Sequence, residues 1–353
     1  MSRFLDVRHE TLKPYTPGEQ PKKRSFIKLN TNENPYPPSP KVLAAINSEE
    51  LLDLRLYSDT GASALVQAIA ENYGLSEDQV FTGNGSDEVL AFSFMAFCGK
   101  KGIMFPNISY GFYRVYADLF KVRSQEIPLR DDFSIDTDPY CRPGSNVVIA
   151  NPNAPTGLAL ATDQIERIVR AHPDDVVIID EAYVDFGAES CVPLIDRFEN
   201  LLIIQTFSKS RSLAGGRIGF AMGNSGLIAD LNRIKFSFHP YNLGRLPILA
   251  GTAAMRDTEY FRSCVGRIVD VRDRTAAALQ AMGCAVTESK ANFLFVRLPG
   301  IPGLTAQTKL RDRGILVRRF DEPAIRDWLR VSIGTDEDMQ FFLRTVECIL
   351  KGE

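Results

Sequence analysis

The sequence of 353 residues predicts an α/β protein, with a doubly wound, mostly parallel sheet in a large domain and a smaller α+β domain. Short apolar runs alternate with amphipathic helical patterns over the first two thirds of the chain, as in parallel sheets covered by helices. Beyond about residue 249 the pattern changes to a long charged helix and shorter strands. We expect an N-terminal arm over residues 1–30 that packs with the small domain, a large domain over 31–249 and a small domain over 250–353.

The apolar runs of the large domain have the length and composition of buried parallel strands. Between them, apolar residues at helical spacing predict helices, one of which ends at Gly74 and another of which follows Thr162. In a doubly wound sheet, ligands bind at the carboxyl ends of the strands, so the functional site is expected in the loops there. The predicted strands are Gly102 to Phe105, Asn146 to Ala150, Val176 to Ile179, Leu201 to Ile204 and Ile218 to Met222.

The two ends of the chain have different patterns. Before about Asn30 the prolines at 14, 17 and 21 are expected to prevent regular structure, which predicts an extended arm. In the small domain, strands are predicted from Phe293 to Arg297, from Ile315 to Arg318 and from Leu329 to Ile333. A final helix is predicted over about Asp336 to Leu350.

Composition and charge exclude several classes of protein. The formal net charge of -3 provides no basic field, so nucleic acid is not an expected partner. No apolar run approaches the roughly 20 residues that span a bilayer. The N-terminal residues lack the apolar core of a signal peptide, and a cytoplasmic protein is expected. The six cysteines form no C-x-x-C pair and the three histidines have no metal-ligand spacing, so no metal is expected.

Lys209 has the surroundings of a lysine that forms a Schiff base with a phosphorylated cofactor. It follows the apolar run Leu201 to Ile204, has hydroxyl neighbours and precedes Arg217 by eight residues. An amine is a useful nucleophile near pH 7 when burial and nearby cations lower its pKa. Hydroxyls and an arginine are suited to hold a phosphate. The alternative, an exposed Ser/Lys/Arg loop, is less consistent with the preceding strand and the Leu-Ala-Gly-Gly-Arg continuation.

A second candidate is Asp180, at the carboxyl end of the apolar run Val176 to Ile179, with Tyr183 three residues later. A buried carboxylate needs a partner, and a protonated pyridine nitrogen would be one. Tyr183 could donate a hydrogen bond to a phenolic oxygen on the same ring. A strand-end aspartate that only caps a turn is the alternative.

Two loops complete the predicted site. Gly83 to Glu88 leads into a helix whose N-terminal N–H groups could bind a phosphate, although such loops also serve simply as helix caps. The run is neither a complete G-x-G-x-x-G nor a P-loop, which argues against NAD and ATP. The second loop, Asn151 to Gly157, is a rigid turn directly after a predicted strand.

Together these motifs resemble the pyridoxal-phosphate-dependent aminotransferases of the aspartate aminotransferase fold, in particular the histidinol-phosphate aminotransferases. The resemblance runs from Leu12-Lys13-Pro14-Tyr15 and Asn32-Glu33-Asn34-Pro35-Tyr36 to the run Leu329 to Thr335. It implies pyridoxal 5'-phosphate as the cofactor. It also implies that Lys209 carries the cofactor and moves the proton of the substrate, while Asp180 pairs with the pyridine nitrogen and Tyr183 with the phenolic oxygen.

The resemblance assigns the remaining site residues by position. A tyrosine matching Tyr57 reaches the cofactor phosphate of a neighbouring subunit in this family, which implies a homodimer with shared active sites, although Ser58 stands where proline is common. The family asparagine that touches the phenolic oxygen is Ala154 here, and Asn151, Asn153 or a water could replace it. The implied phosphate ligands are Ser86, Asp87, Ser208 and Arg217, the residue stacked on the ring is Tyr110, and the substrate ligands are Tyr15, Asn34, Arg318 and Arg330.

The function implied by the resemblance is amino transfer from L-histidinol phosphate to 2-oxoglutarate, giving imidazole-acetol phosphate and L-glutamate in histidine biosynthesis. A decarboxylase similar to threonine-phosphate decarboxylase, or an aromatic-amino-acid aminotransferase, could use the same lysine, aspartate and phosphate site. A regulator that only binds the cofactor would need a DNA-binding module, for which the sequence has neither spare N-terminal length nor a basic recognition helix.

Overall fold

The computed structural model describes residues 5–21 and 26–352. Its strands are β1 (Ile27–Leu29), β2 (Val80–Asn84), β3 (Ile103–Pro106), β4 (Ser124–Ile127), β5 (Asn146–Ala150), β6 (Val177–Asp180), β7 (Leu201–Thr206), β8 (Ile218–Gly223), β9 (Ala285–Val286), β10 (Phe293–Arg297), β11 (Ile315–Arg319) and β12 (Leu329–Ser332). Its helices are α1 (Pro40–Ala45), α2 (Ser48–Leu52), α3 (Ser63–Tyr73), α4 (Gly85–Phe97), α5 (Phe112–Phe120), α6 (Thr162–Ala171), α7 (Ser225–Phe238), α8 (Arg245–Arg256), α9 (Thr258–Ala281), α10 (Gly303–Asp312) and α11 (Asp336–Lys351).

The larger sheet confirms the predicted α/β fold. In the described part of the chain it has seven strands in the order β2-β8-β7-β6-β5-β3-β4. Strands β3 to β7 run parallel to one another. The inner strands β5, β6 and β7 are buried on both faces, because alternate residues such as Val147 and Val148 contribute to different hydrophobic clusters. Such strands therefore read as continuous apolar runs in the sequence.

One strand of this sheet contradicts the prediction. The run Ile218 to Met222 was expected to be parallel, yet β8 is antiparallel to both β7 and β2. The segment 207–217 that joins β7 to β8 is too short for the crossover that parallel strands require. It forms a compact turn instead, and this turn carries Lys209.

Two strands of the larger sheet were missed by sequence reasoning. Strand β2 ends in Gly83 and Asn84, residues that are uncommon in strands. Strand β4 lies at the edge of the sheet with three exposed residues, Ser124 to Glu126, and so has little apolar character. Its place in the sheet comes from pairing with β3, which the local sequence does not encode.

The smaller sheet has the order β1-β11-β12-β10-β9 among the described residues. Strand β1 pairs in parallel with β11, and Ile27 is opposite Ile315. The expectation that the arm lacks regular structure up to about Asn30 is therefore wrong at 27–29, where an apolar-polar-apolar run adds to an existing sheet edge. Residues 12–21, which contain the three prolines, form neither helix nor strand.

The chain after residue 249 also differs in detail from the prediction. The long charged helix expected beyond residue 249 is α9, whereas α8, which Asp257 separates from it, was not predicted. Helix α8 packs against α1 and α3 of the large domain, whereas α9 contacts β9, β10 and α11. The domain boundaries at residues 30 and 249 stay a prediction. No helix in the described ranges is long and apolar enough to cross a membrane.

The sheet brings a strand and a helix start into close contact at Gly219. This residue of β8 lies directly under the first turn of α4, and a Cβ atom there would be 2.2 Å from the Ser86 nitrogen and 2.4 Å from the Gly85 carbonyl carbon. We expect Gly219→Ala to lower the free energy of unfolding by about 1–3 kcal/mol, because backbone must move to admit the methyl group. Urea unfolding measures this, with Gly215→Ala as the control because no atom lies within 4 Å of its Cβ position. Equal unfolding midpoints for the two variants would contradict the close contact.

Candidate active site

A cavity with about 550 Å³ of empty space lies at the carboxyl ends of β5, β6 and β7, beside the start of α4. Parallel strands end at the same edge of the sheet, so residues distant in sequence meet there. Every predicted cofactor-binding residue except Tyr57 lines the cavity. The lining residues are Ser86, Asp87, Tyr110, Ala150, Ala154, Asp180, Ala182, Tyr183, Thr206, Ser208, Lys209 and Arg217.

Asp180 is a buried carboxylate at the end of β6. It accepts hydrogen bonds from the Tyr113 hydroxyl at 2.8 Å and from the Ala182 nitrogen at 3.2 Å. Burial raises its pKa to about 6, although these two hydrogen bonds and the charge of Lys209 act in the opposite direction. A carboxylate in this position is stabilised by a cationic partner in the cavity. Tyr113 was missed by sequence reasoning, although its spacing from Tyr110 places both near the start of α5.

Lys209 also lines the cavity and lies in the turn between β7 and β8. Its Nζ donates a hydrogen bond to the Thr31 carbonyl oxygen at 3.1 Å and lies 5.7 Å from the centroid of the Tyr183 ring. Burial lowers its pKa to about 8, and the positive charge of Arg330 acts in the same direction. A substantial fraction of the amine is therefore neutral, and able to attack a carbonyl carbon, at mildly alkaline pH.

The start of α4 and Arg217 form an anion site. Ser86 and Asp87 occupy the first helical turn, where backbone N–H groups are free to bind an anion. Arg217 Nη2 is 3.1 Å from Asp87 Oδ2, and its Nη1 is 3.5 Å from Ser208 Oγ. A Cβ atom at Gly85 would lie 2.5 Å from Arg217 Nη2, so the absence of a side chain there lets the guanidinium approach the helix. Asp87 is itself an anion, so its contribution is to hold Arg217 in place.

Two tyrosines define the walls of the cavity. The Tyr110 hydroxyl donates to Asp87 Oδ1 at 2.6 Å, and burial together with this carboxylate raises its pKa well above the usual range. The Tyr183 hydroxyl accepts a hydrogen bond from Asn32 Nδ2 at 3.0 Å. Burial raises the pKa of Tyr183, while Arg330 and the Asn32 hydrogen bond lower it. Asn32 was missed as a site residue, although it lies in the Asn32-Glu33-Asn34 run that carries the family resemblance.

Ala154 lines the cavity where the family asparagine is expected. Neither neighbouring asparagine replaces it, because the oxygen and the nitrogen of both amides already have hydrogen-bond partners outside the cavity. Asn151 bonds both the nitrogen and the oxygen of Leu160, at 2.7 and 3.2 Å. Asn153 donates to the Ile108 carbonyl oxygen at 3.0 Å and accepts from Ser109 at 2.8 Å.

Two arginines of the small sheet lie opposite each other near the cavity. Arg318 and Arg330 are direct partners in the antiparallel β11–β12 pair. Like charges at such positions repel, so the pair favours an anion between or near them. The charges of both guanidinium groups lower the pKa of Tyr15, against the larger effect of burial, which raises it. These three side chains are therefore close together.

The individual contacts of the two arginines differ. Arg318 donates to the carbonyl oxygens of Thr16 and Pro17 at 2.9 and 3.2 Å. Arg330 Nη2 donates to the Asn30 carbonyl oxygen at 3.1 Å, while its Nε is buried with no hydrogen-bond partner among the described residues. Burial lowers the pKa of Arg330, and Arg318 adds to this effect. A buried N–H without a partner is unfavourable, so an anionic ligand would be well placed to satisfy it.

Besides Tyr15, Arg318 and Arg330, two further predicted residues do not line the cavity. Tyr57 is 80% exposed and stacks on Tyr241 with ring centroids 4.4 Å apart. The Asn34 amide donates to the Ser210 carbonyl oxygen at 3.1 Å and accepts from the Tyr36 nitrogen at 3.0 Å, so its role in binding substrate stays a prediction. Within residues 5–21 and 26–352, histidine, cysteine and carboxylate side chains form no group of three that could hold a metal ion.

A lysine, a buried aspartate and an anion site in one cavity of a mostly parallel sheet are the features of pyridoxal-phosphate enzymes of the aspartate aminotransferase fold. The family model for aminotransferases of class I and II matches residues 24–346, and the chain belongs to this family of pyridoxal-phosphate-dependent enzymes. The cavity fits that cofactor, because Asp180, Lys209 and the α4 site can meet its ring nitrogen, aldehyde and phosphate.

Known proteins are similar to this chain over its full length. A histidinol-phosphate aminotransferase of Brachyspira hyodysenteriae is 49% identical over 354 residues, covering 100% of both chains. A histidinol-phosphate aminotransferase of Clostridium acetobutylicum is 51% identical over 351 residues, covering 99% of this chain and 100% of the relative. The crystal structure of a histidinol-phosphate aminotransferase from Clostridium acetobutylicum, 24% identical, has the same fold, with a TM-score of 0.85 and coverage of 93% of this chain and 100% of that one.

The raised pKa of Asp180 predicts that the free energy of unfolding of the cofactor-free protein depends on pH. Because the folded-state pKa lies above the ordinary value, the folded protein holds this proton more tightly, and stability is lost as the pH rises through about 6. Asp180→Asn removes the buried charge and keeps both hydrogen bonds, since the Tyr113 hydroxyl can also accept. We expect the variant without cofactor to be more stable than the native protein by roughly 1–3 kcal/mol at pH 8.

Urea unfolding at pH 5 and pH 8 measures this difference, which should be smaller at pH 5. The exposed carboxylate of Asp312 provides a matched control, as Asp312→Asn should change stability little at either pH. Added pyridoxal phosphate should then stabilise the native protein more than Asp180→Asn. If the variant is less stable than the native protein at pH 8, the buried Asp180 carboxylate does not destabilise the fold and the prediction is wrong.

Proposed function

We propose that this protein transfers the amino group of L-histidinol phosphate to 2-oxoglutarate, giving imidazole-acetol phosphate and L-glutamate, in histidine biosynthesis. The observation that carries the proposal is the facing pair Arg318 and Arg330 beside the cavity that contains Lys209. An amine with a phosphate ester and an acid with two carboxylates are both anions that such a pair can bind. The full-length relatives named histidinol-phosphate aminotransferase support the same reaction.

Lys209, Asp180 and Tyr183 are the proposed catalytic residues. The bound cofactor supplies an electron-withdrawing pyridinium ring that stabilises negative charge at the α-carbon of the substrate. Asp180, a buried anion at the end of β6, would pair with the ring nitrogen and favour its protonated form. Lys209 Nζ would hold the cofactor, and its free neutral amine would accept the proton from the α-carbon of the substrate. Tyr183 would donate a hydrogen bond to the phenolic oxygen.

Binding and orientation come from the remaining side chains. Ser86, Ser208 and Arg217 hold the phosphate of the cofactor, together with the α4 N–H groups and with Asp87 as the anchor of Arg217. Tyr110 packs on the ring face. Arg330 binds the anionic group next to the reacting carbon, where its Nε lacks a partner, and Arg318 binds the more distant one. Tyr15, whose ring centroid lies 4.4 Å from that of Phe112, covers the Arg318 and Arg330 pair.

The alternative reactions are not favoured. A decarboxylase similar to threonine-phosphate decarboxylase and an aromatic-amino-acid aminotransferase would use the same cavity. The relatives that match at 49% and 51% identity over the whole chain carry the histidinol-phosphate aminotransferase name instead. Membership of an enzyme family also argues against a non-catalytic regulator.

The active form in this proposal is a cytoplasmic homodimer with shared active sites. The segment 51–57 exposes large apolar side chains, among them Leu52 at 75% and Tyr57 at 80% exposure. Phe236, Phe238 and Tyr241 are also exposed, and Tyr57 stacks on Tyr241, so the 51–57 surface continues onto the end of α7. An apolar surface of this kind favours association. Tyr57 would then reach the cofactor phosphate of the partner.

The first test of the function is a profile of amino donors with 2-oxoglutarate as acceptor. We expect L-histidinol phosphate to be the preferred donor by at least about tenfold in kcat/KM over phenylalanine, because its phosphate dianion offers more charge and more oxygen acceptors to the two arginines than a single carboxylate does. Lys209→Ala should abolish transfer and covalent retention of the cofactor, whereas Lys309→Ala on the exposed end of α10 should not. Release of carbon dioxide from threonine phosphate, or a preference for phenylalanine, would contradict the assignment.

The dimer is tested by disrupting the 51–57 surface. Leu52→Asp should give a monomer in light scattering with weakened cofactor binding, because a charge replaces an apolar contact. Leu304→Asp provides a matched control, since Leu304 is 59% exposed on α10 and lies outside the proposed interface. Loss of the dimer in both variants, or in neither, would argue against this surface.

Sharing of the active sites is tested by mixing two variants. Tyr57→Ala should remain dimeric but bind pyridoxal phosphate about tenfold more weakly, because a hydrogen bond to a charged group is lost. In a mixed dimer of Tyr57→Ala and Lys209→Ala chains, one site combines an intact lysine with an intact tyrosine from the partner. That site should regain native cofactor affinity, and failure to regain it would reject a shared site.

A further inference from the structure

Asn32 connects the N-terminal segment, the small sheet and the cavity. It is 1% exposed, and its backbone has φ 56°, in the left-handed region. Its carbonyl oxygen accepts from Asn292 Nδ2 at 3.0 Å. Its side chain lies between Ser332 on β12 and Tyr183 at the wall of the cavity. Asparagine tolerates this backbone conformation better than most residues, which is consistent with a position where both the backbone and the amide matter.

The hydrogen bonds fix which way the Asn32 amide points. The Asn32 backbone nitrogen donates to Ser332 Oγ at 2.8 Å, and Ser332 Oγ lies 2.8 Å from Asn32 Oδ1. Since Ser332 Oγ accepts the backbone N–H, its own proton is available for Oδ1. The Nδ2 group therefore faces Tyr183, whose hydroxyl oxygen is 3.0 Å away. An NH2 group can only donate, so the Tyr183 oxygen accepts.

This arrangement leaves the Tyr183 proton free for another acceptor. A phenol has one proton to donate, and a hydroxyl that accepts from Asn32 directs that proton elsewhere. Tyr183 lines the cavity together with Ala154, whose methyl group has no hydrogen-bonding atom. Asn151 and Asn153 are held by their own backbone partners. Among these residues, the Tyr183 hydroxyl is therefore the group that can donate a hydrogen bond into the cavity.

We propose that Asn32 is a positioning residue, which holds Tyr183 as a hydrogen-bond donor toward the phenolic oxygen of the cofactor and so compensates for the alanine at position 154. The inference rests on the proposed role of Tyr183 in cofactor binding. It assigns a function to an amide that touches neither substrate nor cofactor. Because Ser332 orients this amide, the small sheet contributes to the electronic state of the cofactor through two hydrogen bonds.

The test is a pH titration of the visible absorbance of the cofactor bound to Lys209. This absorbance reports the proton shared between the lysine–cofactor linkage and the phenolic oxygen. A hydrogen-bond donor to the phenolic oxygen stabilises the anionic form of that oxygen and so lowers the pKa of the shared proton. Weakening the donor should therefore raise this pKa. Asn32→Gly removes the amide without strain in the left-handed backbone. We expect it to raise the titration midpoint by roughly 0.5 to 1.

Asn32→Asp gives a sharper test because it keeps size and backbone preference while replacing the donor by an acceptor. The Tyr183 proton would then turn toward the carboxylate, and the midpoint should rise further than in Asn32→Gly. Ser332→Ala frees the amide to rotate and should shift the midpoint in the same direction by a smaller amount. These two variants keep the proposal testable if one of the three does not fold.

Double variants separate positioning from a merely structural effect. In a Tyr183→Phe background, Asn32→Gly should cause no further change in the midpoint, because the hydroxyl through which it acts is missing. Asn200→Ala is the matched control, since the Asn200 amide donates to the carbonyl oxygens of Val169, His172 and Asp175, which do not line the cavity, and its loss should leave the midpoint unchanged. An undiminished shift in the Tyr183→Phe background, or an unchanged midpoint in Asn32→Gly, would overturn the proposal. An unchanged midpoint in Tyr183→Phe alone would instead reject the proposed role of Tyr183.

Discussion

The buried carboxylate of Asp180 is the constraint on which the rest of the site depends. Removal of this group from water is unfavourable, and two hydrogen bonds from Tyr113 and Ala182 offset only part of that effect, as its raised pKa indicates. The central position of β6 keeps the group dry, because β5 and β7 flank it on both sides. A cofactor with a cationic nitrogen would therefore bind favourably to this carboxylate, because folding has already placed and desolvated the negative charge.

The positive charge around the cavity follows the same logic. The chain as a whole has a formal net charge of -3, yet Lys209, Arg217, Arg318 and Arg330 surround one space. Their mutual repulsion contributes to the lowered pKa of both Lys209 and Arg330. Anionic groups of the cofactor and substrate would relieve this repulsion. The neutral amine that the chemistry needs and the affinity for anions thus have a common electrostatic origin.

Much of this site was predictable because strand ends are visible in the sequence. The runs that end at Ala150 and near Asp180 are continuously apolar, and the loops after them must meet at one edge of a parallel sheet. The direction of β8 was not predictable from its composition, since an antiparallel strand that is buried on both faces is equally apolar. The short connection between β7 and β8 was the feature of the sequence that indicated an antiparallel pair. Asn32 lies in a run that carries the family resemblance, but its role could not be predicted, because its partner Ser332 is 300 residues away in the sequence.

The segment 30–34 connects the part of the site around Lys209 with the part around Arg318 and Arg330. Its carbonyl oxygens at Asn30 and Thr31 accept hydrogen bonds from Arg330 and Lys209, respectively. The same segment follows β1, which pairs with the strand that carries Arg318. The stretch 27–34 therefore contacts the Lys209 amine, the strand that carries Arg318 and the side chain of Arg330. Because these contacts are made by backbone atoms, they depend on the path of the chain rather than on side-chain identity, and the pairing of β1 with β11 is what fixes that path.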